Sequence, residues 1–239
     1  MSDIRQACRW HVFPDIEALQ ERAAQEIARA ANAALAERGA FHLVLAGGNT
    51  PRGVYERLPG VKTNWLGWHI YFGDERCLPP DHPERNSSMA SSAWLRHIDI
   101  PRMQIFAMPG ELGSVRGAKE YAKALRGVSF DLVLLGLGED GHTASLFPGH
   151  EWGARPDAPA VLPVHHAPKP PPERISLSAH RLSQARQVLF LVTGASKREA
   201  VRRWRAGETI PAGAVAPRQG VDVFVEEASM DTGGGRPSV

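Results

Sequence analysis

The sequence predicts an α/β protein whose sheet is mostly parallel, doubly wound and covered by helices on both faces. Short apolar runs of the kind that form buried strands alternate with segments whose apolar residues recur at helical spacing. Glycine-rich turns follow several of these runs, as is typical where a strand passes into a helix. No repeat or Gly/Ser linker divides the chain. We therefore expect one domain over residues 1–229, followed by a disordered tail at 230–239.

The composition is that of an ordinary soluble globular protein. The chain has 239 residues, of which 43% are hydrophobic and 23% charged, so it can bury a sizeable core. Its net charge of +2 gives no reason to expect a nucleic-acid partner. No apolar run is long enough to cross a bilayer, and no secretory signal peptide is recognisable. Because there are only 2 cysteines, a disulfide framework is not expected and a reducing cytoplasm fits. The protein is expected to be a monomer or a weak homo-oligomer.

In the first half of the chain, helical segments separate short strands. Asp15 is the expected N-cap of a long helix that ends at Gly39, because apolar residues recur between them at helical spacing. Further helices are expected after Pro51, after a cap at Asn86 or Ser87, and over 112–125. The predicted strands are 9–13 at a sheet edge, 41–46, 69–72 and a short one at 104–107.

The second half repeats this alternation. The predicted strands are 131–135, 160–164, 174–177, 188–193 and 221–225. Short helices are expected to open at Thr143, to cover 182–186, and to follow Gly194 as far as Trp204. The proline-rich segment 169–172, read KPPP, is stiff and extended, and we expect it to hold a loop over a cleft.

Residues 130–149, read FDLVLLGLGEDGHTASLFPG, are the stretch around which the chain is organised. A buried strand ends there in a glycine-rich turn that carries Asp140 and His142. In open α/β sheets, ligands bind at the carboxyl ends of the strands, so this turn presents an imidazole and a carboxylate where such folds perform chemistry. The alternative is a turn that these two side chains merely cap and solvate.

Three other strand ends also carry polar residues. The turn of Gly47, Gly48, Asn49 and Thr50 opens a helix and suits a single phosphate, although it is neither a Walker loop nor a dinucleotide fingerprint. Asp74 and Arg76 follow the next strand, and Lys197 follows the strand at 188–193. Each has an ordinary structural explanation: a capped turn for the first, a surface salt bridge for the second and a first-turn lysine for the third. Together with the turn that carries Asp140 and His142, however, four groups of polar residues follow strands, and this favours a shared cleft.

No metal site or nucleophilic thiol is expected. His165 and His166 are adjacent, and adjacent residues of a strand point to opposite faces, so they make a poor metal pair. No other cluster of metal ligands is apparent. Cys77 lies beside Arg76 without a histidine pattern, so we expect an inert thiol.

These motifs, taken together, resemble those of the 6-phosphogluconolactonases. LAGGNTPRGVYERL, YFGDERCLPPDHPERNSSM, FDLVLLGLGEDGHTASLFPG, PKPPPERISLS and VLFLVTGASKREAV occur in the order found in that family, over about 15–228. GDER and GEDGHTASLFPG are the most specific of them. The resemblance implies a Rossmann-like fold and membership of a wider group that includes glucosamine-6-phosphate deaminases.

The resemblance also implies an activity, the hydrolysis of 6-phospho-D-glucono-1,5-lactone to 6-phosphogluconate in the oxidative pentose phosphate pathway. His142 would be the general base, and Asp140 would orient its imidazole or its water. Arg76 would bind the phosphate or stabilise the oxyanion, and the sequence leaves both roles open. Neither a metal nor an organic cofactor is needed.

The remaining implied roles concern substrate binding. The phosphate ligands would be Gly47, Gly48, Asn49, Thr50 and Lys197, while Asp74 and Arg174 would contact the rest of the substrate. The family's glycine turn usually has serine where this chain has Asn49. Asparagine keeps a donor, so phosphate binding is expected to survive without the serine hydroxyl.

Two other functions remain open at this point. An amino-sugar-phosphate deaminase or isomerase would need a carboxylate base over the sugar, but the segment after Gly141-His142 resembles the lactonases. A non-catalytic sugar-phosphate sensor would keep the phosphate turn and often lose the base, whereas His142 is present. Ammonia release from glucosamine 6-phosphate, or tight binding without turnover, would favour one or the other.

Overall fold

The computed structural model describes residues 6–230, which contain two hydrogen-bonded sheets. The strands of this part of the chain are β1 Cys8–Phe13, β2 Phe41–Leu45, β3 Trp68–Phe72, β4 Asp74–Arg76, β5 Leu132–Gly136, β6 Val161–Val164, β7 Arg174–Leu177, β8 Gln187–Val192 and β9 Val221–Glu226. The helices are α1 Ile16–Arg38, α2 Asn49–Tyr55, α3 Asn86–Ala93, α4 Ser114–Ala124, α5 Ala179–Ser183 and α6 Arg198–Arg205.

The larger sheet has six strands in the order β1-β9-β8-β5-β2-β3, and each neighbouring pair is parallel. From β2 the chain moves outward to β3, and then returns to place β5 on the other side of β2. The carboxyl ends of β2 and β5 therefore flank the point where the strand order reverses. The predicted doubly wound α/β fold, with a mostly parallel sheet and helices on both faces, is confirmed.

The long first helix follows the sequence expectation closely. Asp15 accepts a hydrogen bond from the Ala18 N–H at 2.8 Å, which satisfies one of the unpaired donors at the start of α1. Gly39 ends α1 in the left-handed region, with φ 74°, and its N–H donates to the Leu35 carbonyl. Its buried face includes Leu19, Ala23 and Ile27, so alanine-rich packing holds this helix on the sheet.

The smaller sheet was not predicted. Strands β4, β7 and β6 form an antiparallel sheet in that order, although residues 74–76 were expected to be a charged turn. Gly73 joins the two sheets, since its N–H donates to the Leu45 carbonyl of the parallel sheet at 2.9 Å. Its own carbonyl accepts from the Leu177 N–H of the antiparallel sheet at 2.8 Å.

Two short elements differ from expectation. No helix opens at Thr143, because Ala144 adopts a left-handed φ of 47° and Thr143 bridges Leu146 in a turn. The strand expected at 104–107 is a single bridge between Ile105 and Ile70.

Two helix boundaries also differ. The helix expected at 182–186 lies earlier, as α5, where Ser178 caps it. Helix α3 has Arg85 rather than Asn86 or Ser87 at its N-cap position.

Nearly all the apolar side chains of both sheets belong to one buried cluster, which includes Leu134 and Phe190 on the parallel strands and Ile175 on β7. No helix within residues 6–230 is both long and apolar enough to cross a membrane. Of the tail expected at 230–239, only Met230 lies within the described residues. The expectation of a single domain over residues 1–229 stays a prediction.

Candidate active site

A cleft of about 320 Å³ opens at the carboxyl ends of β2 and β5, where the strand order reverses. It collects side chains from both sheets, from the turn after β5 and from the loop before β7. Of the predicted site residues, the cleft is lined by Gly47, Gly48, Asp74, Arg76, His142, Arg174 and Lys197. The predicted residues Asn49, Thr50 and Asp140 are not among those that line it.

The turn after β5 brings His142 and Asp140 into direct contact. His142 Nδ1 lies 2.5 Å from Asp140 Oδ1, and the His142 backbone N–H donates to the same oxygen at 3.1 Å. Because a carboxylate only accepts, the imidazole proton sits on Nδ1 and leaves Nε2 as an acceptor. The His142 ring packs on Phe147 with centroids 4.7 Å apart, so contacts on both sides hold the imidazole.

The local backbone explains why this contact forms between residues only two positions apart. The Gly138 N–H donates to the His142 carbonyl at 2.7 Å, and the Gly141 N–H donates back to the Gly138 carbonyl at 3.0 Å. A Cβ on Gly138 would lie 1.9 Å from His142 Nδ1 and 2.6 Å from Asp140 Oδ1. Glycine is therefore required at position 138 for the two side chains to meet.

Burial and charge set the protonation of this pair. Burial penalises the imidazolium and holds the pKa of His142 below its ordinary value, although the Asp140 carboxylate acts to raise it. Burial also acts to raise the pKa of Asp140, but the charge and hydrogen bonds of His142 outweigh it and the net shift is downward. The pair is thus a neutral imidazole on an ionised carboxylate, which is the state of a general base.

The opposite wall of the cleft belongs to the antiparallel sheet. Arg76 of β4 pairs with Arg174 of β7, and Asp74 pairs with Ser176, so alternate residues present these side chains on one face. Asp74 is buried, and its carboxylate accepts from Ser145 Oγ at 2.6 Å and from Asn86 Nδ2 at 3.1 Å. Both partners were missed in the sequence analysis.

The two arginines of this wall differ in their partners. Arg76 Nη1 donates to the Glu84 carbonyl, while its Nε is buried with no hydrogen-bond partner among the described residues. Arg174 is buried, and it donates to the carbonyls of the loop before β7 rather than to a side chain. Arg76 therefore has a donor that no described residue satisfies, whereas Arg174 has a mainly supporting position.

Glu75, between the two cleft-facing residues of β4, has a separate structural role. Its fully buried carboxylate accepts from the backbone N–H groups of Asn86 at 2.7 Å and of Ser87 at 2.9 Å, at the start of α3. Arg85 Nε lies 3.4 Å from the same carboxylate. A side chain from β4 thus caps α3 in place of the predicted local cap, and it positions Asn86 in the cleft.

Two lysines supply positive charge at the cleft. Lys197 lies just before α6, as predicted, and its Nζ is 4.0 Å from Glu139 Oε1. Burial lowers the pKa of Lys197. Lys169 also lines the cleft but was not selected as a site residue, because it belongs to a loop rather than to a strand end. The signal that pointed to it was the stiff KPPP segment, which was expected to hold a loop over a cleft.

The glycine turn after β2 reaches the cleft only in part. Gly48 has φ 104°, a conformation that favours glycine, and directly precedes α2. Asn49 is exposed, and the Thr50 hydroxyl lies 2.5 Å from the Thr193 hydroxyl rather than facing the cleft. The phosphate roles predicted for Asn49 and Thr50 stay predictions.

Nothing in the described residues points to a metal or thiol mechanism. No group of three or more His, Cys, Asp or Glu side chains within residues 6–230 is placed to hold a metal ion. Burial, with help from Glu173, raises the pKa of Cys77 to about 11, so this thiol stays protonated near neutral pH.

Comparisons with known proteins agree with this architecture. Residues 14–224 match the family described as glucosamine-6-phosphate isomerases/6-phosphogluconolactonase. The 6-phosphogluconolactonase of Synechocystis sp. is 38% identical over 203 residues, which cover 81% of this chain and 83% of the relative. That of Mycobacterium leprae is 35% identical over 237 residues, which cover 91% and 96%.

A solved structure gives the same result. The crystal structure of 6-phosphogluconolactonase from Thermotoga maritima matches with a TM-score of 0.85 at 26% identity, covering 92% of this chain and 100% of that one. The resemblance found in the sequence motifs is thereby confirmed. The chain belongs to the glucosamine-6-phosphate isomerase/6-phosphogluconolactonase family.

Proposed function

We propose that this protein hydrolyses 6-phospho-D-glucono-1,5-lactone to 6-phosphogluconate by general-base activation of water. The proposal rests above all on the contact between His142 and Asp140 within a cleft that also carries Lys197 and Arg76. Ester hydrolysis of this substrate needs an activated water, a donor for the developing oxyanion and a grip on the distant phosphate. The relatives named 6-phosphogluconolactonase support the same reaction.

In the proposed reaction, His142 Nε2 removes a proton from a water molecule whose oxygen attacks the lactone carbonyl carbon. Asp140 holds the imidazole in the required tautomer and stabilises the imidazolium that forms. The tetrahedral oxyanion then collapses, the ring C–O bond breaks, and the imidazolium returns its proton to the leaving ring oxygen. One water is thus added across the ester, and the open-chain acid leaves.

The cationic groups of the cleft would bind two different negative charges, the developing oxyanion and the phosphate of the substrate. Arg76 is proposed as the oxyanion donor, because its buried Nε has no partner among the described residues. Lys197, with the backbone of Gly47 and Gly48, is proposed to bind the phosphate. The buried Asp74 would accept from a sugar hydroxyl through a lone pair that Ser145 and Asn86 leave available.

The test is the rate of lactone hydrolysis by the wild type, His142→Ala and a control, His97→Ala, which changes an exposed histidine outside the cleft. Spontaneous opening of the lactone is subtracted. The wild type and the control should be equally fast, and His142→Ala should be slower by about 10² or more. A wild type no faster than background refutes the lactonase proposal, and ammonia release from glucosamine 6-phosphate would then indicate a deaminase. A fast His142→Ala enzyme would remove His142 from its proposed role.

A cytoplasmic location, a monomeric or weakly oligomeric state, and function without a nucleic-acid partner remain predictions. Place in the oxidative pentose phosphate pathway follows from the proposed reaction, whose product is 6-phosphogluconate.

A further inference from the structure

The loop between β6 and β7, residues 165–173, is here called the strap. Its two ends are closed by a hydrogen bond from the Ala167 N–H to the Pro172 carbonyl at 2.9 Å. His165 Nδ1 lies 2.9 Å from both carboxylate oxygens of Glu173, and Glu173 also accepts from Ser114 Oγ at 2.6 Å. These contacts hold the base of the strap against the start of α4.

Arg174 holds residues 169–171, the middle of the strap, by hydrogen bonds to their backbone. Its guanidinium donates to the carbonyls of Lys169 at 3.0 Å, of Pro170 at 3.1 Å and of Pro171 at 3.1 Å. Arg174 is only 5% exposed, and it lies over the Phe147 ring that packs against His142. Because prolines also restrict the backbone, the main chain of Lys169 is held in place before any ligand binds.

Lys169 is an exposed side chain that lines the cleft together with His142 and Lys197. Its ammonium is close enough to lower the pKa of both groups, although burial is the larger cause in each case. No carboxylate within residues 6–230 forms an ion pair with Lys169, whereas Lys197 Nζ lies 4.0 Å from Glu139 Oε1 and is also within electrostatic range of Asp140. Two ammonium groups beside one cleft, one of them without a carboxylate partner in the described chain, favour an anion between them.

We propose that Lys169 is a second ligand of the substrate phosphate, which the strap presents opposite Lys197, and that it selects phosphorylated over unphosphorylated lactones. This inference rests on the proposed function for the identity of the substrate. It adds a phosphate ligand to those already proposed, which are Lys197 and the backbone of the turn after β2. Arg174 acts on the substrate through the strap, as a positioning residue.

The binding test compares the wild type, Lys169→Gln, Lys169→Arg and a control, Lys62→Gln. Lys62 is an exposed lysine outside the cleft, so its substitution makes the same change in net charge. The dissociation constants of 6-phosphogluconate and of inorganic phosphate are measured by calorimetry. Lys169→Gln should weaken the binding of 6-phosphogluconate about 10-fold to 100-fold, as expected for the loss of one charge-assisted contact. Lys169→Arg should restore most of the affinity, and the control should match the wild type.

The kinetic test uses 6-phosphogluconolactone and δ-gluconolactone. At a pH on the plateau of the pH–rate profile, where His142 is neutral with or without Lys169, Lys169→Gln should raise KM for the phosphorylated lactone and leave kcat/KM for the unphosphorylated one unchanged, so that selectivity falls. Unaltered 6-phosphogluconate affinity in Lys169→Gln overturns the proposal. So does an equal loss of kcat on both lactones, which would place Lys169 at the reacting carbonyl. A wild type that binds 6-phosphogluconate but hydrolyses no lactone would refute the proposed function, while the binding series would still decide the role of Lys169.

Discussion

Replacing Gly138 by alanine adds a methyl group where the side chains of His142 and Asp140 meet. The added Cβ would lie 1.9 Å from His142 Nδ1, whereas an ordinary contact begins at 3.4 Å, so the ring must move by about 1.5 Å. That movement breaks the 2.5 Å contact with Asp140 and displaces Nε2, the atom proposed to accept the proton of the attacking water. Since misplacement of a catalytic group by about 1 Å can reduce a rate by about 10², we expect kcat/KM to fall at least that far.

The assay for Gly138→Ala is the initial rate of lactone hydrolysis, corrected for spontaneous opening, with thermal unfolding measured on the same samples. Binding of 6-phosphogluconate should change by less than about threefold, because the clash does not touch either lysine of the cleft. Gly60→Ala is the control, since a Cβ there meets no atom within 4 Å. A folded Gly138→Ala protein with kcat/KM within about threefold of the wild type would refute the reasoning.

Two predictions concern pH. Burial lowers the pKa of His142 below 6.5, so kcat/KM should stay constant as the pH falls through 6.5 and decline only at lower pH. A pH–rate profile with an inflection above 6.5 would contradict this. The imidazoles of His42 and His69 stack with centroids 4.6 Å apart, and burial lowers both pKa values. The unfolded chain therefore binds more protons than the folded one just below pH 6.5. The contribution of this pair to the free energy of unfolding is complete above about pH 6.5 and is lost as the pH falls. Urea unfolding at about pH 7.5 and 5.5 should show a smaller loss in His69→Phe than in the wild type, and equal losses would assign the acid sensitivity to other groups.

The parallel sheet and the turn after β5 could be predicted because both are encoded locally. The apolar run of β5 is long enough to identify a buried strand, and the glycines after it mark the turn that carries Asp140 and His142. The cap at Asp15 and the stop at Gly39 are likewise contacts within a few residues of the helix ends. Signals of this kind need no knowledge of how distant segments meet.

The antiparallel wall of the cleft depends on contacts between distant segments, so it could not be predicted from local sequence patterns. Strand β4 is three residues long and entirely charged, which leaves no apolar alternation to recognise. Its partner β7 lies far along the chain, and only their pairing brings Arg174 under the backbone of Lys169. The cap of α3 is similar, since the carboxylate that accepts from its first N–H groups comes from Glu75 on another element.

The division of the cleft between two sheets has a consequence for how its specificity can change. Through Gly73, the walls share one residue of backbone but keep separate hydrogen-bond ladders. A substitution on β4, β7 or the strap therefore leaves the ladder of the parallel sheet intact. It still acts on the turn after β5, because Arg174 lies over the Phe147 ring that packs on His142 and Asp74 accepts from Ser145. A change of specificity that begins on the antiparallel wall is thus felt at the imidazole, although the two walls belong to separate sheets.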